Sequence, residues 1–348
     1  MNGVTIYKVA EAAGVSPSTV SNFLNGRSER MQPQTRARVS EAIERLGYKP
    51  NQAARQLRTG RTQVIGLVVP SVANPFWGTF ARYLEGAALA EGYRVLLCNS
   101  ERDPERERDY VEQLWDDGIR GAVLCSSLPS LEHMLPLVER GLNLVAFDRT
   151  AQAGDPEGLV NIGVDNVVGV QLATGHLLQL GHRRLAFVSG AVRSVNRRGR
   201  LRGFRDALEA EGLDPDDAIV WPGASEGPDG DLDAAGLGRT AARELLRGPN
   251  PPTAIVAVND MCALGVCAGV RDVGLRVADD VSVVGFDDIV LADLAAPPLT
   301  TVRQPLPEMA AAAFRHLRER AGQEAPSGGG SLLMRPELVV RASTGAAP

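Results

Sequence analysis

The sequence predicts an all-α N-terminal head followed by a two-lobed α/β body built on parallel sheets. Three observations lead there. Residues 5–24 carry apolar residues at helical spacing on either side of Gly14. From residue 64 onward, short apolar runs alternate with helical stretches, the pattern of parallel strands covered on both faces. At 348 residues the chain is too long for one ordinary domain and fits a small head plus a divided body.

In the head, Thr5 is placed to cap a first helix whose apolar positions Ile6, Val9, Ala10 and Ala13 share one face. Gly14 permits a turn at positive φ, where a side chain is costly. Ser16 and Pro17 then supply an N-cap and a pre-set first φ for a second helix. Val20, Phe23 and Leu24 face inward there, leaving Ser18, Thr19, Ser21 and Asn22 free. A third helix is predicted from Pro33 to Leu46, with Val39, Ile43 and Leu46 inward and Gly47 as its stop. Helix, short turn and second capped helix form a helix-turn-helix, a unit that fits the major groove of DNA. Residues 1–60 carry nine Lys and Arg against four acids, a net +5, whereas the chain as a whole is −5. The basic excess is therefore confined to the head, as phosphate contact requires. The competing reading is a small bundle with solvated charges.

In the body, strands are predicted at Val64–Val69, Tyr93–Cys98, Gly121–Cys125, Leu142–Phe147, Leu185–Val188, Ala254–Val258 and Val281–Val284. Ligands of parallel sheets bind beyond the C-terminal strand ends, and two lobes facing each other make a cleft there. The strand ends run into Asn74-Pro75-Phe76-Trp77, Asp148, Asn196 and Arg200, Asn259-Asp260, and Asp287-Asp288. Asp260 and Asp288, and less so Asp287, are also placed to cap the helices that follow. The arginines at 193, 197, 198, 200, 202 and 205 form either a solvated helix face or a site for a phosphorylated ligand.

The head motifs Thr5-Ile6-Tyr7-Lys8-Val9-Ala10, Gly14-Val15-Ser16, Thr19-Val20-Ser21 and Leu46-Gly47-Tyr48-Lys49-Pro50-Asn51 closely resemble the lactose repressor (LacI/GalR) family of bacterial transcription regulators. So do Ile65-Gly66-Leu67-Val68-Val69-Pro70, Val258-Asn259-Asp260, Val283-Val284-Gly285-Phe286-Asp287-Asp288 and Pro298-Leu299-Thr300-Thr301-Val302-Arg303-Gln304, in order along the chain. The resemblance implies a periplasmic-binding-protein-like body and divides the chain into a head at 1–50, a hinge helix and linker at 51–61, and an effector-binding and dimerisation domain at 62–348. One lobe is expected over about 62–164 and 293–322, the other over about 165–292 and 323–345.

It further implies that the second helix reads bases through Pro17, Ser18 and Asn22, with Ser16, Thr19 and Ser21 on phosphates. Asn22 is the sharpest candidate, because a carboxamide pairs bidentately with adenine. Thr5, Tyr7, Asn25, Tyr48, Asn51 and Ala54 complete the implied DNA-binding set, and Leu57 matches the leucine that the hinge helix wedges into the minor groove. Two heads on a two-fold axis would read a pseudo-palindromic operator as a homodimer. For the effector, the resemblance marks Asp148, Arg200, Asn259 and Asp287 as polar contacts and Phe76 and Trp77 as apolar walls, beside the strand-end residues Asn74 and Asn196. Carboxylate and carboxamide acceptors around one guanidinium suit a sugar or sugar-like molecule. The expected function is an effector-controlled repressor. The alternative is an activator or corepressor-type regulator answering to a nucleobase or phosphorylated metabolite.

Some segments depart from the family pattern. Gln32 stands where a serine cap is usual before the third helix. The stretch 222–235 reads as a long acidic mobile loop, with no stacking aromatic in the region beyond Trp221. Its acids do not complete a calcium loop. Four scattered His and four Cys give no zinc pattern and no nucleophile with its base, so neither catalytic residues nor a cofactor or metal are expected. A hydrolytic pair at Asp287-Asp288 is disfavoured, because neighbours leaving a strand point apart. With no apolar leader and no run approaching 18 apolar residues, no membrane partner is expected and the compartment is cytoplasmic.

Overall fold

The structure, a computed structural model, describes residues 4–24, 31–48, 62–126, 128–221, 231–319 and 330–348. The chain falls into two compact units, residues 1–62 and 63–348.

In the first unit, helices α1 (Ile6–Ala13), α2 (Pro17–Leu24) and α3 (Pro33–Leu46) enclose a core of Val9, Ala10, Ala13, Val20, Val39 and Ala42. Gly14 ends α1 and Gly47 ends α3, each in the left-handed region that a Cβ disfavours, at φ 63° and 58°. The Ser16 hydroxyl accepts from the Thr19 amide at 3.2 Å, so the cap predicted for α2 forms. Thr5 occupies the N-cap position of α1, but its side chain makes no cap bond, and neither does Gln32 before α3.

The second unit holds two six-stranded sheets. Strands β1 (Val64–Val69), β2 (Arg94–Asn99), β3 (Gly121–Leu124), β4 (Asn143–Phe147), β5 (Val160–Val164) and later β11 (Gly330–Met334) form the first, in the order β11-β5-β4-β3-β1-β2, all parallel. Strands β6 (Leu185–Val188), β7 (Ile219–Trp221), β8 (Ala254–Ala257), β9 (Ser282–Asp287), β10 (Thr300–Arg303) and β12 (Glu337–Val339) form the second, in the order β12-β10-β9-β8-β6-β7. Only β12 runs antiparallel, to β10.

The two-residue period of a strand lets the first sheet feed two cores. Ile65, Leu67, Val145 and Phe147 pack with Phe80 and Leu84 of helix α4 (Pro75–Ala90). On the opposite face Val68, Leu144 and Ala146 meet Val111 and Leu114 of α5 (Pro104–Asp116). The short α6 (Leu135–Glu139) follows β3. Helices α7 (Asn166–Gln179), α8 (Val195–Ala210), α9 (Asp231–Arg247), α10 (Asp260–Asp272) and α11 (Val290–Leu294) belong to the second sheet, and α12 (Leu306–Glu319) returns to the core of the first.

This topology corrects the expected lobe limits. Strand β10, expected in the first lobe, extends the second sheet beside β9, while β11, expected in the second lobe, pairs with β5 in the first. The chain therefore passes between lobes after β5, after β10 and after β11. The final passage takes only Arg335 and Pro336. The stretch 222–235 is corrected as well, because α9 begins at Asp231, and residues 222–230 lie outside the described residues. Helices α9 and α10 lie so close that a Cβ on Gly265 would stand 1.9 Å from the Ala235 carbonyl oxygen, and one on Gly238 would stand 2.1 Å from that of Cys262.

Candidate functional site

In the head, Ser18 and Asn22 of α2 are exposed, Pro17 and Thr19 are half-buried, and Thr5 is exposed. Tyr7 is also presented outward, with 71% of its surface accessible. Tyr48 packs against the small core. Ser21, expected to be free, is buried, because it lies four residues after Pro17 and three before Leu24 on the inward side of α2. Asn25, Asn51, Ala54 and Leu57 lie outside the described residues.

In the body, all eight predicted effector residues line one cleft of about 550 Å³, its open mouth included. Asn74, Phe76 and Trp77 follow β1, Asp148 follows β4, Asn196 and Arg200 lie on α8 after β6, Asn259 follows β8, and Asp287 ends β9. Sequence reasoning missed Pro70, Arg102, Cys125, Ser126, Ser194, Phe147 and Val258 as lining residues, and left Arg197 open between a solvated helix face and a ligand contact. Phe76 and Trp77 meet edge to face with ring centroids 4.8 Å apart, and Phe147 stacks on Phe80 at 3.6 Å behind them.

Arg200 organises the wall of the second lobe. Its guanidinium stacks 3.7 Å above the Phe286 ring, its Nε donates to Asn166 Oδ1 at 2.7 Å, and one terminal nitrogen donates to the Val258 carbonyl. The other lies 3.6 Å from Asp287 Oδ1, which also accepts from Gln304 Nε2 at 2.9 Å. Asn196 Nδ2 donates to both the carboxylate and the backbone carbonyl of Asp148, at 2.7 and 2.6 Å, and so links the two lobes. Asn74 and Asn259 cap α4 and α10 through their carbonyl oxygens, leaving each carboxamide NH₂ as a donor by chemistry.

Backbone strain gathers at the same place. Asp148, Asp287 and Arg102 hold φ of 57°, 114° and 60°, a region costly to residues with a Cβ and common at ligand sites. No local sequence signal announces the left-handed backbone at these positions.

Neither Asp260 nor Asp288 acts as a helix cap. Asp260 is wholly buried and accepts from the Ile289 amide and the Thr301 hydroxyl. Burial, with Asp287 nearby, pushes its carboxyl well above the usual range. Asp288 turns the other way, to Arg303 and Arg341 at 2.6 and 2.7 Å, so the adjacent aspartates do point apart. The arginine run also divides: Arg193, Arg198, Arg202 and Arg205 are exposed, while Arg197 and Arg200 line the cleft. Trp221 donates to Glu244 at 2.9 Å and does not line the cleft.

A second polar group sits behind the wall of the first lobe. Glu107 is 1% exposed, beside Arg102, Ser126 and Arg149, with His133 Nε2 4.0 Å away. Burial raises its carboxyl to about 7, while the Ser126 hydroxyl and both guanidinium groups pull the other way. Burial and the charges of Arg108 and Arg149 lower His133. A carboxyl raised on folding stabilises the fold below its unfolded value and loses that contribution as pH climbs to about 7. Glu107→Gln is therefore expected to add up to about 3 kcal/mol of stability at pH 8 and almost none at pH 4. Urea denaturation at the two pH values would check it.

Among the described residues no His, Cys, Asp and Glu cluster forms a metal site. Burial pushes the Cys262 and Cys267 thiols to about 12, far from a nucleophile's range. No helix among the described residues is long and apolar enough to cross a membrane.

A helix-turn-helix in one unit and a polar cleft at facing strand ends in the other define a DNA-binding transcriptional regulator with a ligand-binding body. The chain belongs to the lacI family of bacterial regulatory proteins, whose model matches residues 5–51, and a periplasmic binding protein-like domain matches residues 174–344. It is 35% identical to the HTH-type transcriptional regulator DegA of Bacillus subtilis over 98% of each chain. It is 34% identical to the ribose operon repressor of Escherichia coli over 92% of this chain and 93% of that one. Among solved structures, the lac repressor dimer bound to operator and the anti-inducer ONPF matches 99% of this chain and all of its own, at 29% identity and a TM-score of 0.84. The cellobiose complex of the regulator CelR matches 98% of this chain and 99% of its own, at 33% identity and a TM-score of 0.69.

Proposed function

We propose that the protein is a homodimeric repressor whose affinity for a pseudo-palindromic operator is set by a small hydroxyl-rich effector held in the cleft. The observation that carries this is the convergence of Asn74, Asp148, Asn196, Arg200, Asn259 and Asp287 on one cavity between the sheets. Fixed donors and acceptors over an aromatic floor bind a ring bearing several hydroxyls. Relatives bound to cellobiose and ribose support the sugar assignment.

The Asn196–Asp148 contact spans the cleft, so a ligand that rearranges it biases the lobes toward one arrangement. That ligand shifts operator affinity only by its differential affinity for the two states. The lac repressor is seen as a dimer on its operator. Here Leu96 and Leu97 of edge strand β2, and Val290, Leu291 and Leu294 of α11, are exposed apolar side chains available to a second subunit. Action on chromosomal DNA places the protein in the cytoplasm. The raised thiols and the divergent Asp287 and Asp288 favour binding over catalysis.

Selection of duplexes from a random pool by the purified protein tests the proposal directly. A recovered pseudo-palindrome supports a dimeric reader, and recovery of no motif, with or without metabolite extract, would overturn it. Within that selection Asn22→Ala is expected to relax preference at one position per half-site, a discrimination of about 1–3 kcal/mol for a bidentate base contact. An unchanged motif would remove Asn22 from the reading set.

A further inference from the structure

Resting on the reading of the cleft as the effector site, we propose that Glu107 is a positioning residue for the effector: it holds the Ser126 hydroxyl proton, so that Ser126 offers an acceptor oxygen to a hydroxyl of the ligand, and it makes that contact depend on pH. Ser126 lines the cleft, whereas Glu107, on α5, stands behind the wall. A hydroxyl has one donor and two acceptor sites. The Ser126 hydroxyl donates to Glu107, and its oxygen accepts from the Leu128 amide at 3.2 Å. One acceptor pair remains for the cleft, and no donor does. The contact therefore reads an O–H or N–H of the ligand and disfavours a bare acceptor in that place.

The orientation is firm only while Glu107 is ionised. A hydrogen bond to a charged acceptor is roughly twice as strong as a neutral one, and a hydroxyl that donates to an anion is polarised into a better acceptor itself. The Glu107 Oε2 atom is buried with no hydrogen-bond partner among the described residues, and so is His133 Nε2, 4.0 Å from it. A proton taken up by Glu107 sits on that oxygen. Ser126 is then left with a neutral carbonyl oxygen, and its hydrogen is free to swing into the cleft.

The surroundings put this exchange near neutral pH. Burial raises Glu107 to about 7 against the pull of Ser126, Arg102 and Arg149, and Asp103 at the start of α5 pushes the same way as burial. Arg102 follows β2, and Arg149 follows β4 and is paired with Asp155 at 2.9 Å. His133, on the turn Glu132–Met134, is held below its ordinary value by burial and by Arg108 and Arg149, so it is neutral where Glu107 titrates. Cys125 beside Ser126 stays neutral too, its thiol raised by burial and by the charges of Asp148 and Glu107. Glu107 is thus the group of this cluster whose charge changes as pH passes 7. A ligand that favours the ionised form binds fully above that pH and loses affinity as pH falls through it.

Thermal melting and calorimetry of the full chain with cellobiose, ribose and glucose, at about pH 6 and about pH 8, would test the inference. The expected result is that at least one sugar binds about threefold to tenfold more weakly at the lower pH. Glu107→Gln, of the same shape and without a titration, should remove the difference. Ser126→Ala should remove it as well, with a loss of affinity at the higher pH. Without ligand, carboxyl resonances of protein carrying isotope-labelled glutamate should show Glu107 titrating higher in Ser126→Ala than in the parent, because the ionised form has lost its donor. Sugar binding equal at the two pH values, a pH dependence that survives Ser126→Ala, or a Glu107 titration indifferent to Ser126 overturns the inference. Sugar binding that still depends on Arg200 would in those cases leave the cleft as the effector site. No melt shift from any of the sugars at either pH overturns the reading of the cleft as a sugar site, and the inference with it.

Discussion

Arg200→Ala is expected to abolish the ligand response while leaving a DNA-binding protein at low temperature. The guanidinium is 5% exposed and joins four groups at once: Asn166, the Val258 carbonyl, the Phe286 ring and Asp287. Removing it takes away the donors facing the cleft and leaves Asp287 buried, with Gln304 and the buried Asp260 as neighbours. Breaking a buried ion pair from one side costs about 3–5 kcal/mol, so a Tm drop of several degrees accompanies the functional loss. Arg200→Lys keeps the charge but not the planar stack or the forked donors; it should recover stability more than ligand binding. Operator binding by fluorescence anisotropy, with and without the compound that shifts the parent's melt, gives the test. A variant that still responded to that compound would show that the ligand is held elsewhere.

Gly265→Val is expected to cost the second lobe its cooperative fold, about 3 kcal/mol or more. Where α9 and α10 cross, a Cβ on Gly265 would stand 1.9 Å from the Ala235 carbonyl oxygen, and one on Gly269 would stand 2.5 Å from that of Arg239. The obstacle is backbone rather than the end of a flexible side chain, so the helices must separate and uncover the core around Val266 and Ala263. Gly86→Ala, on α4 with nothing within 4 Å of its added Cβ, is the control. It should stabilise by about 0.5–1 kcal/mol, because alanine loses less backbone freedom in a helix. Chemical denaturation of both variants would decide the matter, and a normal transition in Gly265→Val would refute the close crossing.

Much of the site was readable from local sequence because parallel strands announce themselves as apolar runs, and ligand residues lie at their C-terminal ends. Asp148, Asn259 and Asp287 are found simply by following Leu144–Phe147, Ala254–Val258 and Val283–Phe286 to their last residues. Arg102 could not be found that way. It sits in an ordinary charged stretch, Glu101-Arg102-Asp103, and only the left-handed turn at its backbone brings it to the cleft. Asp260 looked like a cap because it begins a helix; Asn259 takes that role through the Cys262 amide, and Asp260 is bound instead by Ile289 and Thr301, 29 and 41 residues away. Ser21 shows the same limit on a smaller scale, since one polar residue on an apolar helix side does not disturb the pattern that places it.

The amino-acid sequence by itself determined the head's three helices with their glycine stops, the parallel α/β character of the body, and the identity of eight cleft residues. The helices and the sheet character follow from periods, caps and apolar runs, which are properties of neighbours in the chain; the eight cleft residues come from the strand ends together with the resemblance to the family, which chose among them. The tertiary structure alone decided that β10 joins the second sheet and β11 the first, so that the chain changes lobe three times. It also decided that Arg200 reaches Asp287 across 87 residues, and that α9 and α10 touch through glycine. Strand pairing and close helix contact depend on the edge or face left uncovered by residues far away in sequence. No short window of the chain contains both partners.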